Sequence, residues 1–192
     1  MRRLQWPEGE WFNPPVVLVE SIDELVVSTG ENTDLWRTTS YGFVHDTGHG
    51  LLSPLRDGEA MELTFEAHYQ SEFDQAGMLL WSDDEHWIKC GIEYADGVAG
   101  LGAVVTDAVS DWSTSPVPEW VGQAVTVRMS RQSDALTIRA KTADEPWRLV
   151  RLAPIDPSRE WRAGPYAASP SRAGLRVIFR DWLLGEADAS LH

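Results

Sequence analysis

Nearly every patterned stretch of this 192-residue chain alternates apolar and polar residues with a period of two. Met61, Leu63, Phe65, Ala67 and Tyr69 alternate with Glu62, Thr64, Glu66, His68 and Gln70. Val125, Val127 and Met129 alternate with Thr126 and Arg128, Leu136 and Ile138 with Thr137 and Arg139, and Leu175, Val177 and Phe179 repeat the pattern toward the C-terminus. Alternation of this kind belongs to strands with one face buried, and turn clusters such as Arg131-Gln132-Ser133-Asp134 separate the runs at short spacing. The expected fold is all-β, an antiparallel sandwich or barrel with no helix beyond a short turn. No linker, charge block or repeat divides residues 1–192, so one domain is expected, with a frayed end from Asp188 to His192.

The segment from Asp74 to Thr106 fixes a register. His86, Ile88, Cys90, Ile92 and Tyr94 alternate with Trp87, Lys89, Gly91 and Glu93, and Asp96-Gly97 supplies a hairpin turn whose central positions need positive φ. Closing that turn sets Ile92 opposite Leu101, Cys90 opposite Ala103 and Gly91 opposite Gly102. Upstream, a turn around Asp83-Asp84-Glu85 keeps Ala76, Met78 and Leu80 on the apolar face only if Gln75 lies beside Glu93, Gly77 beside Gly91, Leu79 beside Lys89 and Trp81 beside Trp87. Gly77, Gly91 and Gly102 then form a row on the other face. Such a row marks a close approach of something to the backbone, and Gly91→Leu is expected to block whatever occupies the trough.

Composition narrows the partners. The net charge of −14 argues against nucleic acid, which needs clustered Lys and Arg, and against anionic membrane surfaces. No run approaches the roughly 18 apolar residues of a membrane span, and Met1-Arg2-Arg3 opens no apolar leader. Cys90 is the only cysteine, which excludes an intramolecular disulfide and a thiolate metal cluster. It falls on the apolar face and reads as a buried, inert thiol. The expected setting is the reducing cytoplasm. Ten tryptophans, each able to bury roughly 150–250 Å², supply ample area for a core.

Seven ordered blocks carry a family likeness: Trp11-Phe12-Asn13-Pro14-Pro15, Asp34-Leu35-Trp36-Arg37, Tyr41-Gly42-Phe43, Phe73 to Met78, Glu85 to Glu93, Val104-Val105-Thr106 with Ser110-Asp111-Trp112-Ser113, and Gly164 to Pro170. Over roughly residues 6–182 the chain resembles the family of unknown function 1349, which includes the fungal regulation-of-enolase protein, within the concanavalin A-like lectin and glucanase superfamily. The resemblance implies a two-sheet jelly roll with a concave face. It implies no reaction, because that superfamily holds both lectins and glycosidases.

The outward face beside the glycine row offers Gln75, Lys89 and Glu93, with Trp81 and Trp87 at one end. Flat aromatic rings and directional polar groups suit a sugar. Lys89 and Glu93, four residues apart with Gly91 between them on one face, are expected to pair. Ser110, Asp111 and Trp112 are expected on a loop that reaches back over this face, with Trp112 as a cover, and Tyr166 with Ser169 is a further candidate. The bland alternatives are a solvated face, or a loop of the chain itself filling the trough.

A small polar ligand, possibly a carbohydrate, is the expected partner, with no cofactor and no metal. If the protein is instead a glycosidase, Glu93 with Asp111 is the pair to test; the Glu-x-Asp-x-x-Glu strand motif of glucanases of this fold is absent. A partner-binding module with a regulatory role is the third class. His45-Asp46-Thr47-Gly48-His49 resembles a metal cluster in composition, but its glycines mark a turn, so exposed hairpin histidines are expected rather than ligands. His68 and His86 read as structural.

Overall fold

The computed structural model describes residues 1–143 and 145–191, so His192 lies outside the described residues. The described residues form seventeen strands. The first seven are short: β1 (Arg2–Arg3), β2 (Glu10–Phe12), β3 (Val17–Glu20), β4 (Leu25–Ser28), β5 (Leu35–Arg37), β6 (Val44–Asp46) and β7 (His49–Pro54). Longer strands follow: β8 (Glu59–Ala67), β9 (Gln75–Asp83), β10 (His86–Ala95), β11 (Val98–Asp107), β12 (Val109–Pro116), β13 (Val125–Gln132), β14 (Ala135–Thr142), β15 (Arg148–Pro154), β16 (Arg162–Ala168) and β17 (Arg176–Glu186). Among the described residues the helical segments are two single turns, Trp6–Glu8 and Pro118–Trp120.

Two large antiparallel sheets result. The eight-stranded one runs β15-β14-β13-β8-β17-β4-β3, with β1 added on β17, and the seven-stranded one runs β12-β11-β10-β9-β16-β7-β2. The alternating runs explain why they stack. Leu63, Phe65, Val127, Met129 and Phe179 on one sheet and Met78, Leu80, Ile88 and Ile92 on the other point inward and are buried in one continuous core. Trp6 stacks on Trp182 at 5.8 Å and closes one part of it. Cys90 belongs to this core, and burial pushes its thiol well above its ordinary pKa.

The glycine row has the expected register and extends further. Gly91 faces Gly102 on one side and Gly77 on the other; Gly77 faces Tyr166, which faces Gly50. The physical reason differs from the expected trough. A Cβ on Gly77 would stand 2.0 Å from the Cys90 carbonyl oxygen, and one on Gly91 would stand 2.1 Å from that of Ala76. The neighbouring strands themselves therefore occupy the space that a side chain would need, so Gly91→Leu would disrupt the sheet before it blocked anything lying on it.

Other expectations are corrected. Ser110-Asp111-Trp112-Ser113 is not a loop but part of β12, which turns back from β11 through Ala108 at φ 60°. The C-terminal segment is pinned as far as Leu191: the Asp188 amide donates to Ser130 Oγ at 2.8 Å, its carboxylate pairs with Arg128 at 2.8 Å, and Arg139 donates to the Leu191 carbonyl at 2.8 Å. His49 is buried rather than exposed. Its Nδ1 lies 2.7 Å from the Asn13 carbonyl and its Nε2 accepts the Gly30 amide at 3.0 Å, and burial lowers its pKa, as suits a neutral structural ring.

Candidate functional site

The β5–β6 ribbon belongs to neither large sheet and lies across the outer face of the seven-stranded one. Its attachment is partly apolar. Leu35 and Trp36 bury themselves against Leu52, Leu79, Trp81, Trp87 and Val104, forming a second small core outside the main one. Trp87 is only 1% exposed and Trp81 only 4%, so neither can offer a ring to a ligand. The attachment is also polar. Ser110 Oγ accepts the Arg37 amide at 2.9 Å and lies 2.8 Å from Thr106 Oγ1, which makes buried Ser110 a latch for the ribbon rather than a ligand group. Arg37 also donates to the Ala108 carbonyl at 3.2 Å and pairs with Glu85 at 2.8 Å.

At the other end of the face the ribbon stands away from the sheet and leaves a cavity of about 280 Å³. Its floor is a connected polar set. Lys89 Nζ donates to Asp34 Oδ1 at 3.1 Å and to Gln75 Oε1 at 2.7 Å; Gln75 Nε2 donates to Asp34 Oδ1 at 3.1 Å and to the Phe73 carbonyl at 3.1 Å. The Tyr166 hydroxyl donates to Gln75 Oε1 at 2.8 Å from a buried position. Burial raises the Tyr166 pKa well above its ordinary value, reinforced by the charges of Asp34 and Glu93, so the hydroxyl stays protonated and donates. Lys89 thus pairs with Asp34, not with Glu93 as expected from their spacing.

Glu93 also lines the cavity, and its carboxyl group has no hydrogen bond or ion pair among the described residues. Desolvation raises its pKa; the Lys89 charge opposes that shift, while Asp34 and Glu72 add to it. Aromatic residues make the walls. Trp36 meets Tyr41 edge-on at 5.7 Å, Tyr41 stacks on Phe43 at 5.3 Å, and Phe43 meets His45 edge-on at 4.5 Å. Phe73 and Trp112 complete the wall from the two flanks. Tyr41 is 57% exposed, Phe43 40% and Trp112 38%, unusual exposure for aromatic rings gathered around one cavity. A shallow recess of about 20 Å³ over Gly91 and Gly102 shares Gln75, Lys89, Glu93 and Trp112 with this cavity.

The backbone here is strained. Thr38 at φ 56°, Ser40 at φ 65° and Phe73 at φ 65° occupy the left-handed region, which side chains avoid. A hydrogen-bonded loop over-determines the first two: the Thr38 amide donates to the Phe43 carbonyl and the Gly42 amide to the Thr38 carbonyl, at 2.8 and 2.7 Å.

Of the expected site residues, the fold brings Gln75, Lys89, Glu93 and Trp112 to one cavity, with Tyr166 beneath, bonded to Gln75. Trp87 and Ser110 are buried structural groups. Asp111 falls on the opposite face of β12 from Trp112, opposite Val105, and pairs with Arg151 at 2.7 Å, so it cannot partner Glu93. Ser169 is also structural: it and Arg172 donate to fully buried Asp74 at 2.6 Å each. Burial alone would raise the Asp74 pKa, but Arg172, Ser169 and the amides of Gln70 and Ser71 outweigh it and hold the carboxyl below its ordinary value. Asp34, Trp36, Tyr41, Phe43, His45 and Phe73 were not anticipated as site residues. Their signal was faint: a three-residue strand, then a turn carrying Tyr41-Gly42-Phe43. No group of three or more metal-ligating side chains occurs among the described residues.

Residues 11–187 match the protein family of unknown function DUF1349. The chain belongs to that family. It is 37% identical over 177 residues to the Saccharomyces cerevisiae protein named Regulation of enolase protein 1, covering 92% of this chain and 89% of the relative. An uncharacterised protein of Emericella nidulans is 32% identical over 148 residues, covering 71% of this chain and 73% of that one. The crystal structure of a functionally unknown protein from Saccharomyces cerevisiae superposes with a TM-score of 0.92 at 35% identity, over 97% of this chain and 100% of that one. A xylan beta-1,4-xylosidase from Bacillus halodurans superposes with a TM-score of 0.64 at 15% identity, over 85% of this chain and 33% of that chain, a likeness of fold alone. The family membership brings no reaction with it.

Proposed function

We propose that this family member binds a small polar molecule, of the size and character of a sugar, in the cavity between the β5–β6 ribbon and the seven-stranded sheet. One observation carries the reading: exposed aromatic rings surround a polar floor whose Glu93 carboxyl is left without a protein partner. An ordinary solvated face would not keep Tyr41, Phe43 and Trp112 exposed around a half-buried, unpaired acid. The strained loop carrying Tyr41 supports the same reading, since such strain gathers at ligand sites. The word regulation in the yeast relative's name fits a ligand-binding protein without chemistry of its own. A cytoplasmic setting belongs to the proposal and rests on the one buried thiol.

The experiment is a thermal-shift screen of sugars against the full chain and Trp112→Ala. A ligand at 100 times its dissociation constant should add about 2.7 kcal/mol. Trp112→Ala should weaken that stabilisation while folding normally, and stabilisation that this variant leaves unchanged would count against the cavity.

A second reading, an acid catalyst acting on a glycoside, draws on the raised pKa of Glu93, which suits a general acid, and on Asp34 as a second carboxyl at the same cavity. Release of nitrophenol from aryl glycosides, abolished by Glu93→Gln, would support it.

A further inference from the structure

We infer that the occupant of the cavity is a small organic cation, held with its ammonium group against Glu93 and its carbon frame among the rings of Trp36, Phe43, Phe73 and Trp112. The inference rests on the proposed reading of the cavity as a ligand site and names the ligand's chemistry.

The hydrogen-bond inventory of the floor is the first support. The amide of Gln75 is fully engaged: its oxygen accepts from Lys89 and Tyr166, and its nitrogen donates to Asp34 and to the Phe73 carbonyl. Lys89 spends two of its protons on Asp34 and Gln75. The unused capacity lies mainly on acceptors, the carboxyl of Glu93 and Asp34 Oδ2, since the bonds to the Asp34 side chain all end on Oδ1. A floor rich in free acceptors recognises a donor. A neutral sugar can use those acceptors through its hydroxyls but leaves the carboxylate charge without a counter-charge.

Charge points the same way. Lys89 and Asp34 neutralise each other at 3.1 Å, and among the described residues no other Lys or Arg lines the cavity, so an ionised Glu93 would be its uncompensated charge. A half-buried carboxylate without a protein partner gains from an arriving ammonium, which supplies the counter-charge that the floor does not. The pKa of Glu93 is raised by desolvation, with Asp34 and Glu72 adding to the shift and Lys89 opposing it, which agrees with that geometry. The walls suit the remainder of such a ligand, because ring faces attract cations and cover their carbon neighbours. The chain's net charge of −14 draws cations from a distance.

The test uses four probes on the full-length chain at pH 7.5, with ionic strength matched by sodium chloride. Glucosamine carries a primary ammonium whose N–H groups can donate, and choline a quaternary one that brings charge without an N–H donor; glucose and N-acetylglucosamine are the neutral counterparts of the first. Saturation with glucosamine or choline should raise the melting temperature by roughly 5 °C or more at 100 times the dissociation constant, with the neutral sugars inert. Glu93→Gln, nearly isosteric and checked for native circular dichroism, should weaken that binding at least about tenfold. Response to glucosamine alone would identify an ammonium that donates N–H to the floor, and response to choline would show that positive charge against Glu93 and the rings suffices; either supports the inference. Glucose or N-acetylglucosamine binding as well as glucosamine would overturn the cation and leave the sugar site standing. Cation binding indifferent to Glu93→Gln would overturn the role of Glu93. No shift with any probe would overturn both the inference and the reading beneath it.

Discussion

Glu93 and Asp74 show how two carboxyl groups of one sheet region take opposite roles from their surroundings. Asp74 is fully buried and has every need met, by Arg172, Ser169 and two backbone amides, so it ties the loop before β9 to the segment after β16. Glu93 is set among Lys89 on its own strand, Asp34 before β5 and Glu72 before β9, with His45 across the cavity, and it bonds to none of them. Its folded pKa lies above its unfolded one, so the stability tied to its protonation is fully present below about pH 4.3, the usual glutamate value, and is lost as pH rises through the folded value. Glu93→Gln lacks that titration. Urea denaturation should find the variant and the parent equally stable near pH 4, with the variant gaining the advantage as pH rises to 7; a difference that is flat in pH, or of opposite sign, would show that Glu93 is not desolvated.

At the scale of elements, the β9–β10–β11 meander and the β5–β6 ribbon differ in how plainly residues announce them. Alternation from Gln75 to Thr106, with Asp96-Gly97 as a turn, leaves a single register that keeps Ile88, Cys90 and Ile92 inward, and that register is found pair for pair. The ribbon has three residues on each side, too few for a period to show, and its attachment depends on Asp34, Arg37 and Ser110 finding partners 41 to 73 positions away, which no local pattern encodes. Trp87 was misread for the same reason: its outward parity was right, but the ribbon that covers it was not legible. Ser110 and Asp111 were misread because Ser and Asp signal turns, whereas here tertiary pairing extends β12 through them. The glycine row belongs to this scale too. Gly91→Ala should lose about 1–3 kcal/mol, the usual cost of forcing an atom into a packed space, because its Cβ would meet the Ala76 carbonyl at 2.1 Å. Chemical denaturation measures this directly, and an unchanged midpoint would mean that the paired strands separate at no cost.

For the whole molecule, the two sheets and their shared core account for stability, and the outer layer formed by the ribbon accounts for the candidate function. A jelly-roll sandwich needs no ribbon to close its core, yet this chain commits Leu35 and Trp36 to a second apolar cluster and holds the loop beyond them in strained backbone. The result is a roofed cavity on one sheet face, aromatic above and acidic below. The central claim is that a ligand enters between that ribbon and the sheet. Backbone amide chemical shifts, followed by NMR during titration with glucosamine or choline, test it most directly. The shifts should move for Asp34 through His45, Gln75, Lys89, Glu93 and Trp112, while the eight-stranded sheet stays still. Movement confined to the outer edge at β3, or spread evenly over both sheets, would contradict it.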